Sequence, residues 1–177
     1  IGEAGNPYLM PMTANQFDLA LEWYFADVGS LTTTFFYKEL KDYFINGTYS
    51  TDITNNGVTN SVEVSAPING EEGSVKGFEI AYQQFFDMLP SPFDGLGIQA
   101  NYTYIDSEGN PNSNVNGETT DTTVNVSFDD LPLQSLSKHT YNIVGIYEKD
   151  KIAARLAYNW RSDYLVTTRD VITTLPI

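Results

Sequence analysis

The chain has 177 residues, opens on Ile1 without a charged-then-apolar leader, and is expected to be mature, trimmed or partial. No apolar run approaches the roughly 20 residues of a membrane helix, and the lack of cysteine removes disulfides and thiolate metal sites. The 23 acidic residues against 9 basic ones, a net charge of −14, argue against nucleic acid as a partner, because phosphate binding needs clustered Lys and Arg.

Residues 16–25, QFDLALEWYF, alternate with period two: Phe17, Leu19, Leu21, Trp23 and Phe25 on one face, and Gln16, Asp18, Ala20, Glu22 and Tyr24 on the other. That period is a strand, placed near 14–25. A short turn with Asp27 and Gly29 leads to a second strand near 31–45, rich in β-branched and aromatic residues. Residues 46–73, rich in Asn, Gly, Thr and Ser, read as a long loop with a short strand at Ser61 to Ser65. A third strand near 74–86 puts Phe78, Ile80 and Tyr82 opposite Glu79, Ala81 and Gln83, and the Pro- and Gly-containing turn 88–95 joins it to a fourth near 96–105. There Leu96, Ile98, Ala100, Tyr102 and Tyr104 oppose Gly97, Gln99, Asn101 and Thr103. A second long polar loop, 106–136, precedes strands near 138–148 and 152–165, joined by a very short turn at Asp150. The expectation is an all-β, antiparallel transmembrane β-barrel segment of about six strands in three hairpins.

Connections alternate short and long, as the periplasmic turns and extracellular loops of outer-membrane barrels do. Leu19, Leu21, Ile98, Ile143 and Leu156 then face lipid. Trp23, Phe25, Phe86 and Tyr147 fall at the short-turn ends, and Tyr43, Trp160 and Tyr164 at the long-loop ends, as two aromatic girdles at headgroup depth.

An enzyme is disfavoured, since one histidine and no cysteine leave little for metal clusters or nucleophilic arrangements. His139 reads as structural or interfacial. Glu71 with Glu72, and Asp129 with Asp130, read as solvated acidic patches. The series Asp106, Glu108, Asn110, Asn112 has calcium-type oxygens, but Pro111 stands where the loop needs Gly, and Gly117 where it needs an acid, so no metal or cofactor is expected. The candidate binding residues are Arg155, Asn159, Arg161 and Asp163, on the lumen face of the last strand, where they bind a solute or pair with neighbouring carboxylates. The loop aromatics Tyr49 and Phe128 are candidates to stack on a sugar ring or to pack their loops.

The segments GNPYLMP, TANQFDLALEWYF, GSLTTTFFYKELKDYF, GSVKGFEIAYQ, GIQANYTYIDS, LPLQSLSKHTYNIVGIYEK and AARLAYNWRSDYL, in this order, resemble the later part of the barrel of TonB-dependent receptors. The resemblance covers nearly all of the chain. It implies part of a barrel of about 22 strands closed by an N-terminal plug domain that is not in this chain. It further implies a bacterial outer-membrane location and active uptake of a scarce nutrient driven through the TonB complex, with carbohydrate favoured and siderophore second. The implied partners are the lipid bilayer, the rest of the barrel and plug, TonB and a small nutrient. Two other readings stay open: a secreted acidic β-sandwich that binds carbohydrate, and a passive porin.

Overall fold

The computed structural model describes residues 2–70, 72–109 and 131–166. Among the described residues nine strands alternate with turns: β1 Gly2–Glu3, β2 Thr13–Ala26, β3 Gly29–Lys41, β4 Phe44–Asn55, β5 Val58–Asn69, β6 Glu72–Phe85, β7 Leu96–Gly109, β8 His139–Lys149 and β9 Ile152–Arg161, with one 3-10 turn at Phe93–Gly95. Six of them form one sheet in the order β2-β3-β6-β7-β8-β9, and the other three form a second in the order β1-β5-β4. The first sheet is therefore a meander into which the β4–β5 hairpin is inserted between β3 and β6. The all-β, antiparallel, six-stranded architecture is the one the period-two pattern predicts.

In the six-stranded sheet, alternation sorts the side chains by polarity. β7 and β8 are antiparallel with Leu96 opposite Tyr147, Ala100 opposite Ile143 and Tyr102 opposite Tyr141. β8 and β9 continue the pattern, with Gly145 opposite Leu156 and Tyr141 opposite Trp160. The apolar residues of successive strands thus share one face, and they are exposed: Leu21 57%, Ile143 43% and Leu156 80%. Ring contacts run across this face, from Phe25 to Tyr82 (centroids 5.9 Å apart), Phe35 to Phe78 (6.3 Å) and Tyr141 to Trp160 (5.1 Å). Gly77 is required where β6 passes β7, because a Cβ there would lie 2.0 Å from the Tyr104 carbonyl oxygen.

Among the described residues of Ile1–Asn15, Glu39–Ser74 and Glu108–Leu133 a separate compact unit forms. Here the structure departs from the expected loop 46–73. β4 and β5 pair over their whole length, from Phe44 opposite Asn69 to Asn55 opposite Val58. The two-residue turn is Asn56–Gly57, at φ 51 and 77. Asn and Gly tolerate these left-handed values, which make the tight mirror-image turn that matches strand twist. The strand expected to end at 45 ends instead at Lys41, and Asp42 at φ 56 redirects the chain into β4.

This unit has a small interior. On β5, Val64 and Ala66 are 5% and 3% exposed. Tyr43, expected in the outer girdle, is 8% exposed, and its ring fills the space beside Gly70, Gly73 and Gly109. The physical reason is the three missing side chains, which leave a slot that an aromatic ring fills more favourably than lipid or water does. The N-terminal segment is fastened along β5. β1 pairs parallel with Val64 and Ser65, Asn6 Nδ2 donates to the Pro67 carbonyl (3.2 Å), and the Asn69 side chain exchanges hydrogen bonds with the Met10 backbone N–H (2.8 Å) and carbonyl (2.9 Å).

Candidate functional site

The second face of the six-stranded sheet carries the polar members of each alternating pair. Where β3, β6, β7 and β8 run side by side, Ser30, Thr32, Glu79, Gln83, Gln99, Asn101, Asn142 and Val144 line a shallow recess of about 350 Å³. Strand pairing sets the rows. Asn101 lies opposite Asn142, and Asn142 opposite Asn159, so three adjacent strands present amides at one level. Each amide offers both donors and an acceptor. Among the described residues Glu79 is the one carboxylate that lines the recess. A hydroxyl-rich solute, or a polar protein segment, can exchange hydrogen bonds with such a surface.

Of the residues expected to bind, Arg155, Asn159 and Arg161 stand on this same face of β9, all exposed, opposite Ile146, Asn142 and Thr140 respectively. Asp163 lies beyond the end of β9 and is also exposed. The Arg161 guanidinium sits 4.7 Å from the centroid of Tyr164 and donates to its hydroxyl at 3.4 Å. Tyr49 falls in β4, opposite Val64, with its side chain outside the described residues, as is Phe128. The recess and Asn142 were not singled out from sequence. Their signal was present as the polar half of the alternation, but the level at which neighbouring strands meet depends on register.

The residues expected in the two girdles lie at both ends of the strands. Trp23 packs against Phe25 (centroids 5.3 Å apart), and the Tyr147 hydroxyl donates to the Pro92 carbonyl (3.2 Å). Phe86, one residue past β6, donates its N–H to the Leu96 carbonyl (2.8 Å), closing the β6–β7 turn. At the far end Trp160 stacks on Tyr141, and Tyr164 is held under Arg161. In the short turn before β7, Lys149 Nζ donates to Asp94 at 2.5 Å and to Ser91 at 2.9 Å. The hydrogen bond from Lys149 holds the Asp94 carboxyl below its ordinary value, against a smaller opposing effect of desolvation.

Among the described residues no group of three His, Cys, Asp or Glu side chains is placed to hold a metal ion. Asp106, first of the calcium-type series, is ion-paired with Lys76 and Lys138, while Asn110 and Asn112 lie outside the described residues. No helix among the described residues is long and apolar enough to cross a membrane, which has no bearing on crossing by strands.

Residues 1–174 match the family described as "TonB dependent receptor-like, beta-barrel". No curated protein matches the chain. Among solved structures, the siderophore receptor PirA from Acinetobacter baumannii is similar, with a TM-score of 0.56 at 17% sequence identity, over 94% of this chain and 22% of that one. At this identity the likeness is one of fold, and this chain spans 22% of that receptor's length.

Proposed function

Because the chain belongs to the TonB-dependent receptor-like β-barrel family, we propose that it forms part of the wall of an outer-membrane receptor that captures a scarce solute and passes it inward. The observation that carries this reading is the inverted sheet: large apolar side chains such as Leu21, Trp23 and Leu156 are exposed on one face, while amides and Glu79 occupy the other. A β-sandwich buries its apolar face against a second sheet, whereas a barrel wall turns it to lipid and keeps polar groups inside. In this reading the remaining strands complete a larger barrel and remove the free edges at β2 and β9. A plug fills the lumen, and passage is driven through the TonB complex.

The recess of Ser30, Thr32, Gln99, Asn101 and Asn142 suits a neutral, hydroxyl-rich solute, so carbohydrate is the substrate class proposed first. A second reading, uptake of an anionic ferric chelate, is favoured by Arg155 and Arg161 on the same face. The deciding experiment is uptake by cells expressing the full-length receptor, with radiolabelled oligosaccharide and radioiron-loaded siderophore offered separately, with and without a protonophore. Accumulation of the oligosaccharide that stops with the protonophore supports the proposal. Uptake indifferent to the protonophore would indicate a passive porin, and a receptor that fractionates as a soluble protein would return the sandwich.

A further inference from the structure

The short connections of the six-stranded sheet leave from one end, and one of them is unlike the others. The β2–β3 and β8–β9 connections are the residue pairs Asp27–Val28 and Asp150–Lys151. The β6–β7 connection, residues 86–95, reads FDMLPSPFDG. Turns are ordinarily built of Gly, Pro, Asn, Asp and Ser, yet this one puts Met88, Leu89 and Phe93 into the open at 65%, 39% and 56% exposure. Its shape is fixed. The Leu89 N–H donates to the Phe86 carbonyl (3.0 Å) and the Phe93 N–H to the Pro90 carbonyl (2.9 Å). From β8, the Tyr147 hydroxyl holds the Pro92 carbonyl, and the Lys149 ammonium holds Ser91 and Asp94.

The side chains that hold the turn identify the side of the sheet it belongs to. Tyr147 and Lys149 alternate with Tyr141, Ile143 and Gly145, so both rise from the apolar face, and the turn is fastened at the rim of that face. Met88, Leu89 and Phe93 thereby extend the exposed surface of Trp23, Ile143 and Leu156 beyond the strand ends. Charge does not select the partner. The charged residues in and beside the turn are Asp87, Asp94, Glu148 and Asp150 against Lys149 and Lys151, and Lys149 is already paired with Asp94. An anionic headgroup or an acidic peptide finds no positive excess here, whereas acyl chains require only exposed apolar area. A turn already held in shape also loses little freedom when it inserts.

We propose that the 86–95 turn is an interfacial anchor: Met88, Leu89 and Phe93 insert among the acyl chains of the leaflet at the short-turn end, with Lys149 and Tyr147 holding the turn in the inserting shape. The proposal rests on the reading of this sheet as a membrane wall. The test uses the full-length receptor in a cysteine-free background, reconstituted into phosphatidylcholine vesicles and carrying one nitroxide label at M88C, L89C, F93C, K151C or L156C. All five side chains are exposed, so no label replaces a buried group. Collisions are read with oxygen, which concentrates among acyl chains, and with a nickel chelate, which stays in water. Oxygen collisions should exceed nickel collisions at M88C, L89C and F93C, as at L156C, and the order should reverse at K151C. K149Q added to F93C should increase both the mobility of the label and its nickel collisions. Nickel collisions as frequent at M88C, L89C and F93C as at K151C would overturn the anchor, and so would shielding from both reagents, which marks a protein segment covering the turn. An unchanged K149Q spectrum would overturn the role given to Lys149. If L156C itself collides with nickel as K151C does, the membrane-wall reading fails and the anchor with it; if L156C lies in lipid and the turn in water, the anchor alone fails.

Discussion

The two sheets of this chain solve the hydrophobic problem in opposite ways. The compact unit built on the β1-β5-β4 sheet is polar in composition, yet it holds three of the four buried hydrophobic side chains among the described residues, Tyr43, Val64 and Ala66. The six-stranded sheet is far richer in large apolar side chains and buries only Ile146 to that degree. In water the second arrangement would leave a large apolar area exposed, at roughly 25 cal/mol for each Å². In lipid that cost disappears, and the sheet needs no interior of its own. On the proposed membrane-wall reading, what separates the two regions is the solvent each is built for rather than the amount of apolar residue each contains.

The largest test of the comparison falls on the hairpin unit. Tyr43→Ala empties the slot beside Gly70, Gly73 and Gly109, and truncating a buried aromatic costs about 3 to 5 kcal/mol. Hydrogen exchange should show β4 and β5 opening while β7 to β9 keep their protection. Equal loss in both sheets would mean that the hairpin has no core of its own. A somewhat smaller effect probes the other sheet through Leu156, which is 80% exposed at the middle of β9. On a water-facing surface Leu156→Arg would change stability by no more than about 0.5 kcal/mol, but on a lipid face it should cost about 2 to 4 kcal/mol. Denaturant unfolding of the full-length receptor in vesicles distinguishes the two, and a neutral result would return the sheet to water.

The smallest effect concerns the short turn before β7, at the edge of the exposed apolar face. The Asp94 carboxyl is held below its ordinary value by Lys149. A lowered carboxylate contributes stability above the unfolded value of about 4 and loses it as the pH falls through the lower folded value. Protection of the Phe93–Leu96 amides, relative to the intrinsic exchange rate at each pH, should therefore be unchanged from neutral pH down to mild acid and fall only below the usual carboxylate range. Asp94→Asn should show the lower protection at every pH. A variant that still shows the acid-induced change would assign it to another group.

Period two is a local property, so the strands of the wall and the partition of Leu19, Leu21, Ile98, Ile143 and Leu156 from Glu79, Gln99 and Asn101 were legible along the chain. The short turns after β2, β6 and β8 were equally legible, and with them the ends where Trp23, Phe25 and Tyr147 fall. The hairpin was missed although its signal was there: Asn56–Gly57 is a strong turn dipeptide, but the Thr, Asn and Ser that flank it interrupt the apolar alternation, which is regular only over Val62, Val64, Ala66 and Ile68. Other features have no local signature at all. Tyr43 turns inward because glycines more than 25 residues away leave room for it, and Asn101, Asn142 and Asn159 share a level because of register between three strands. The convergence of Lys76 and Lys138 on Asp106 likewise requires β6, β7 and the entry to β8 to meet. Alternation and turn chemistry are written into neighbouring residues, whereas register and the filling of glycine slots arise only when distant strands are brought side by side.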